Sequence, residues 1–311
     1  MKLKLLFPLF VLILLSILSA SGQAPAQAPL PASTANPLAP GQKLISEGKL
    51  DEAITFYKNA AQTNPKAEWE TYLGIGAALD LKGDYKKARE NIQKGIDMAP
   101  PNGKGRALRT MAVSYAFTRD ASEAGKYEDQ AYQIQMAAGD FNGAAGIADE
   151  AARIYLESGD LVNAQKWYEK GHATAMQNPK LTDAEKDLWN FRWENAQARI
   201  AARKRNDSEA RHIAASAKSI LDKGTNPDQA QYMPYLEGYV AFYGGDYPAA
   251  INELQKANQK DPFILVLMAQ AYEKWGDQKS AMDYYRKVLQ IYAHNPTVAF
   301  ARPLAQKKVG G

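Results

Sequence analysis

From Gly245 to Pro262 the chain reads GDYPAAINELQKANQKDP, which places Ala250, Leu254, Ala257 and Pro262 at fixed distances after a glycine. The same offsets return after Gly83, with Ala88, Ile92, Gly95 and Pro100, and after Gly48, with Ala53, Tyr57, Ala60 and Pro65. Looser copies follow Gly159, with Ala164, Tyr168 and Gly171, and Gly276, with Ala281, Tyr285 and Val288. A recurring unit of this length cannot bury its apolar face alone, so the copies must stack on one another. This constrains the fold more tightly than the length of 311 residues, which alone would allow two ordinary domains.

Each copy carries its own punctuation. The glycine tolerates positive φ and ends a first helix, and the following Asp or its equivalent caps a second. Ala or Gly at the crossing lets two backbones approach closely, and a proline stops the second helix. The helical period predicts pairs at 40–64, 68–99, 105–137, 140–178, 183–223, 229–261 and 263–293, with a closing helix at 297–308. Ala is prominent, Val is scarce and no alternating β-branched run appears, so the folded part is all-α.

In this arrangement the chain resembles a tetratricopeptide repeat protein, whose helix-turn-helix unit of about 34 residues reads W-x2-L-G-x2-Y, then A-x3-F, then P. Tyr72, Ile75, Gly76, Leu79, Ala88, Ile92 and Pro100 take those positions in the second pair. Ala152, Tyr155, Ala164 and Tyr168 do so in the fourth, and Met268, Ala269, Tyr272, Ala281 and Tyr285 in the last. The resemblance covers nearly all of 40–296. It implies a right-handed superhelical α-solenoid over 40–311, of about seven repeats plus a C-terminal capping helix, with first helices lining a concave groove. Four positions depart from the pattern: Arg119 and Arg205 stand at turns, Glu128 at a large apolar position and Glu237 at a leucine position. Pro303 is expected to kink or shorten the closing helix.

The N-terminus is different in kind. Lys2 and Lys4 precede an apolar run from Leu5 to Leu18 and the small residues Ser19-Ala20-Ser21-Gly22, the pattern of a secretory signal peptide over 1–22. At ~1.5 Å per residue the run spans only about 21 Å as a helix, short of a ~30 Å hydrocarbon core, so cleavage and export are expected. Residues 23–39 are Pro/Ala-rich and uncharged and read as a disordered linker. Without Lys2 and Lys4 the formal charge of +4 falls to +2, which gives no general attraction to nucleic acid or anionic lipid. The absence of cysteine excludes disulfides, thiolate metal sites and a cysteine nucleophile.

No catalytic constellation stands out. His172, His212 and His294 are far apart and lack metal-ligand spacing, Gly74-Ile75-Gly76 lies in a helical run, and the loop at 100–105 lacks the hydroxyl residue of a phosphate loop. Neither a metal nor a cofactor is expected. The informative residues lie on first helices. Arg192, Asn195, Arg199 and Arg203 recur on one face of the fifth pair, and Tyr232, Tyr235, Tyr239 and Tyr243 have the same spacing in the sixth. Arg106 and Arg109 join them from the third pair, and Arg153 from the fourth, beside Asp149. Stacked repeats would place several arginines beside a wall of tyrosines, suited to gripping carboxylates and supplying rigid contact area.

Two readings of these stripes compete. The tyrosines fill helix interfaces, or they recognise a ligand; the arginines form a solvated face paired with Asp187 and Glu194, or they grip an acidic partner. The functional expectation is a non-enzymatic, exported scaffold, periplasmic or secreted, that binds a peptide or partner protein in the groove. The alternative is a structural subunit of a cell-envelope assembly that acts through self-association or end-face contacts.

Overall fold

The computed structural model describes residues 37–310, and the signal-peptide reading of 1–22 and the linker reading of 23–39 up to residue 36 lie outside them. Seven antiparallel helix pairs follow one another: α1 (Ala39–Ser46) with α2 (Leu50–Thr63), α3 (Glu68–Lys82) with α4 (Tyr85–Met98), and α5 (Pro101–Phe117) with α6 (Ala121–Ala137). Then come α7 (Phe141–Ser158) with α8 (Leu161–Met176), α9 (Asp183–Arg203) with α10 (Asp207–Leu221), α11 (Met233–Gly244) with α12 (Tyr247–Lys256), and α13 (Pro262–Trp275) with α14 (Gln278–Leu289). A final helix, α15, runs from Pro296 to Val309, and the described residues contain no strand. Leu38 is buried, so the core begins inside the segment expected to be linker.

The turns follow the chemistry expected of them. Gly48, Gly83, Gly159, Gly245 and Gly276 all have left-handed φ, and Asp84, Asp160, Asp246 and Asp277 accept from backbone N–H groups in the first turn of the next helix. The same cap is made by Asp120 after Arg119 and by Asn206 after Arg205. Both arginines adopt the left-handed region themselves, at φ 58° and 63°. Close crossing explains the small residues: a Cβ at Gly76 would stand 2.3 Å from Ile92, and one at Gly238 2.6 Å from Leu254. Glu237 is exposed, and its neighbours Leu236 and Gly238 face the core instead. Tyr232 lies in a 3-10 turn, Pro227–Tyr232, one residue before α11, so the four tyrosines do not all share one α-helix.

α15 departs from a simple end cover. It continues through Pro303 and packs on α13 and α14, as a cover should. It also packs on α5 and α7, the first helices of the third and fourth pairs. Val298, Ala299 and Phe300 join the core containing Ala112, Ala116, Phe117 and Ile154, while Ala301 and Ala305 join the core of α11–α14. The C-terminal end therefore closes back onto the N-terminal half. His294, just before α15, approaches Asp80 of α3 at 2.8 Å, across 214 positions of sequence.

Candidate partner-binding groove

The first helices bring most of the arginines and tyrosines together in the middle of the molecule. Arg153 on α7 donates to Glu157 through Nε (3.1 Å) and to the Tyr235 hydroxyl through Nη2 (3.1 Å), with its guanidinium 4.4 Å from the Phe263 ring centroid. Arg199 on α9 donates to the Asn195 side chain (3.0 Å) and to the Tyr168 hydroxyl (3.1 Å). Arg203 reaches the Tyr243 hydroxyl (2.7 Å), the Leu156 carbonyl (2.9 Å) and Glu157 (3.5 Å). Tyr239 sits at the centre, fully buried, with its ring 4.7 Å from that of Tyr243.

This is a lattice more than an open surface. Arg199, Tyr235, Tyr239 and Glu157 are all less than a tenth exposed. Burial pushes the Tyr235 hydroxyl up to about 12, against the opposing pull of Arg153 and Arg199, and raises Tyr239 well above its ordinary value. Both hydroxyls therefore stay protonated. Glu157, spaced i, i+4 from Arg153, is the acid that holds two of the three arginines. Sequence spacing alone is enough to flag it, but its second partner, Arg203, is set by how α7 and α9 stack.

Arg192 behaves differently. Its guanidinium lies 4.8 Å from the Trp189 ring centroid and makes no hydrogen bond or ion pair with a described residue. Asp187 pairs with Lys223, not with Arg192. Nearby Asp149, on α7, also makes no hydrogen bond within the described residues. Burial raises its carboxyl to about 6, and Arg192, Arg199 and His172 pull it down. Asp149 and the half-buried Arg192 and Tyr232 mark the part of this region whose polar groups are least committed, whereas the half-buried Asn195 beside them is held by Arg199.

The two α5 arginines part company. Arg109 pairs with Glu150 of α7 beside Glu128, whose fully buried carboxyl is raised well above its ordinary value by burial and then by Glu150, with Arg109 opposing. Glu128 fills the site that the repeat pattern assigns to a large apolar residue, and burial there disfavours its charged form. Arg106 pairs with Glu70 and lies 4.6 Å from the Trp69 ring centroid, at the wall of an open pocket of about 410 Å³. Gln42, Tyr57, Glu70, Thr110, Tyr292 and His294 line that pocket among others. The inner faces of α1, α3 and α5 form one side and the segment of chain before α15 the other. Tyr57 lies in its wall because Gly41 and Gly74 leave space for the ring: a Cβ at either would fall within 2.5 Å of it. Nothing in the sequence pattern singles out Tyr292 or His294 as pocket residues, since their position depends on α15 folding back.

The histidines stay apart: His172 pairs with Asn190 at 2.9 Å, His294 with Asp80, and His212 is exposed.

Residues 70–102 and 264–295 match the family model described as tetratricopeptide repeat, which are the α3–α4 and α13–α14 pairs. A solved tetratricopeptide repeat protein from Parabacteroides merdae superposes with a TM-score of 0.51 at 10% identity, over 88% of this chain and 96% of that one. RapI, in its apo form, superposes with a TM-score of 0.55 at 12% identity, over 88% of this chain and 97% of that one. These likenesses concern the fold: an all-helical solenoid of stacked pairs.

Proposed function

We propose that this chain is a non-enzymatic interaction scaffold, exported through its N-terminal segment, that holds a peptide or partner protein on the inner face of the solenoid. The observation that carries the reading is the division of polar groups along that face. Arg153 and Arg203 are ion-paired to Glu157 and bonded to tyrosines, and Arg199 is held by Asn195 and Tyr168 with one buried nitrogen left over, so these three set the shape of the face, whereas among the described residues Arg192 and Asp149 make no hydrogen bond and the pocket beside Arg106 is open. A ligand that supplies a carboxylate to Arg192 and Arg106, and apolar groups to Tyr57 and Tyr292, complements both places. The unpaired Arg192 supports acidic character in the partner.

The test is capture of native partners by the purified chain, compared with Arg106→Ala and Arg192→Ala together. Both side chains are peripheral to the core, so helicity by circular dichroism should be unchanged while capture falls by about tenfold or more, the loss of roughly 1.5–3 kcal/mol from charged contacts. Undiminished capture by a folded double variant removes the groove as the binding surface. The second reading, self-association, is carried by no observation as specific as these.

A further inference from the structure

The seat that α15 occupies joins two distant parts of the chain. In a solenoid of paired helices each pair touches mainly its neighbours. α15 breaks that rule by lying against α5 and α7, two helices far earlier in the chain. Its contact is short and apolar: Val298 and Ala299 are each 1% exposed and Phe300 3%, set against Ala112, Ala116, Phe117 and Ile154. The alanines of α5 lower the surface there so that a helix fits. Arg119 closes the edge, its guanidinium 5.7 Å from the Phe300 ring centroid.

A polar tie accompanies the apolar contact. His294 meets Asp80 at 2.8 Å, the other Asp80 oxygen accepts from Ser114 Oγ at 2.9 Å, and the His294 ring lies 5.6 Å from that of Phe117. Further along, α15 is fixed to its own neighbours, with Arg302 donating to the carbonyls of Leu289 (3.0 Å) and Ile291 (3.3 Å). The first turn of the helix is thus long-range in its contacts and the remainder local. Only the long-range contacts must be given up for the inner face to open.

We propose that the α5–α7 face is a helix-docking site held in cis by α15, and that its partner is a helix presenting the same uncharged aliphatic–alanine–aromatic run as Val298-Ala299-Phe300, which binds by exchange with α15. This rests on the inner face being the binding surface and adds what it binds at this place. A tethered helix competes at an effective concentration on the order of millimolar, so the partner binds weakly until the tie is loosened. Loosening the His294–Asp80 tie strengthens partner binding, because the apparent affinity scales with the fraction of chains that are open.

The test uses the full chain, which has no native cysteine to interfere with labelling. Lys58→Cys on α2 and Lys307→Cys on α15, both exposed in the parent, carry spin labels for pulsed dipolar distance measurement. The parent gives a single distance. Adding a synthetic peptide with the sequence of residues 295–310 introduces a second, longer component, and His294→Ala increases it at the same peptide concentration. The same peptide with alanine in place of the phenylalanine gives none. A single unchanged distance in both the parent and His294→Ala at millimolar peptide overturns the proposal, and because the parent keeps His294, a folding defect in the variant cannot produce that result. A long component that disappears when labelled chain is diluted with unlabelled chain reports exchange between two copies and also overturns it. If α15 stays seated while partner capture still depends on Arg106 and Arg192, this inference fails and the scaffold reading stands; loss of that dependence removes the scaffold reading.

Discussion

Arg203 and Arg106 both stand on first helices, and each has an acid and an aromatic ring beside it. Arg203 is 17% exposed at its side chain and is fixed by Glu157, the Tyr243 hydroxyl and a carbonyl, whereas Arg106 is 47% exposed and held by Glu70 at the wall of an open pocket. The difference is one of neighbours. In the middle of the molecule Tyr235, Tyr239 and Tyr243 of α11 cover the arginines of α7 and α9. At the N-terminal end the facing element is the chain at 292–294, which leaves a gap. The same residue types act as internal framework in one region and as accessible surface in the other.

The largest consequence concerns the acid in each region. Glu157→Gln leaves Arg153 and Arg203 without their shared counter-charge in a buried setting, and is expected to cost about 3–5 kcal/mol. Glu70→Gln breaks a half-exposed pair and is expected to cost about 0–1 kcal/mol. Urea denaturation of the two variants checks this. Equal losses would mean that the central lattice is no more desolvated than the pocket wall.

A second effect sharpens the comparison through pH. The Asp149 carboxyl is raised to about 6 from its ordinary 3.8. The native chain therefore binds the extra proton between those values, and stability falls as pH rises through this window. Below it the carboxyl is protonated in both folded and unfolded chains, and above it the full burial penalty applies. Asp149→Asn should then stabilise the chain by on the order of 1–3 kcal/mol at pH 7.5 and leave it nearly unchanged at pH 4, as read by thermal unfolding. An equal effect at both pH values would place Asp149 in solvent. A loss at pH 7.5 would show that the Asp149 charge is needed by Arg192 and Arg199.

How far these regions are legible in sequence follows from how local their causes are. The helix pairs, the left-handed glycines and the Asp caps are fixed within a few residues, so a repeated string of offsets reveals them. That Arg153, Arg199 and Arg203 converge on tyrosines follows from stacking neighbouring pairs and is also within reach. Whether they converge in water or under cover is not, because it depends on how tightly α11 lies across α7 and α9. The folding-back of α15 is hidden for the same reason. Its apolar face looks like any end cover, and only the curvature accumulated over several pairs brings Val298 to Ala112 and His294 to Asp80. Glu128 breaks the apolar pattern in sequence, and only its burial beside Glu150 and Arg109 explains how the site accommodates it.

The smallest effect lies at the turns. Arg119 and Arg205 hold φ values that cost an L-residue roughly 1–2 kcal/mol relative to glycine. Each compensates across the repeat boundary: Arg119 donates to the Glu157 carbonyl at 3.3 Å and Arg205 to the Tyr243 carbonyl at 2.6 Å, both 38 positions on and both near the C-terminal end of the next first helix. Such a bond contributes about 0.5–1.5 kcal/mol net, with a further ~0.3–1 kcal/mol from a cation at the negative helix end. The two contributions nearly cancel, so Arg119→Gly should change stability by less than about 1 kcal/mol. Gly83→Ala is the control: φ is 88° and no atom lies within 4 Å of the added Cβ, so only the backbone cost remains and about 1–2 kcal/mol is lost. If Arg119→Gly instead stabilises by as much as Gly83→Ala destabilises, the bond to Glu157 contributes nothing. Arg119 would then be a strained turn residue that this bond does not compensate.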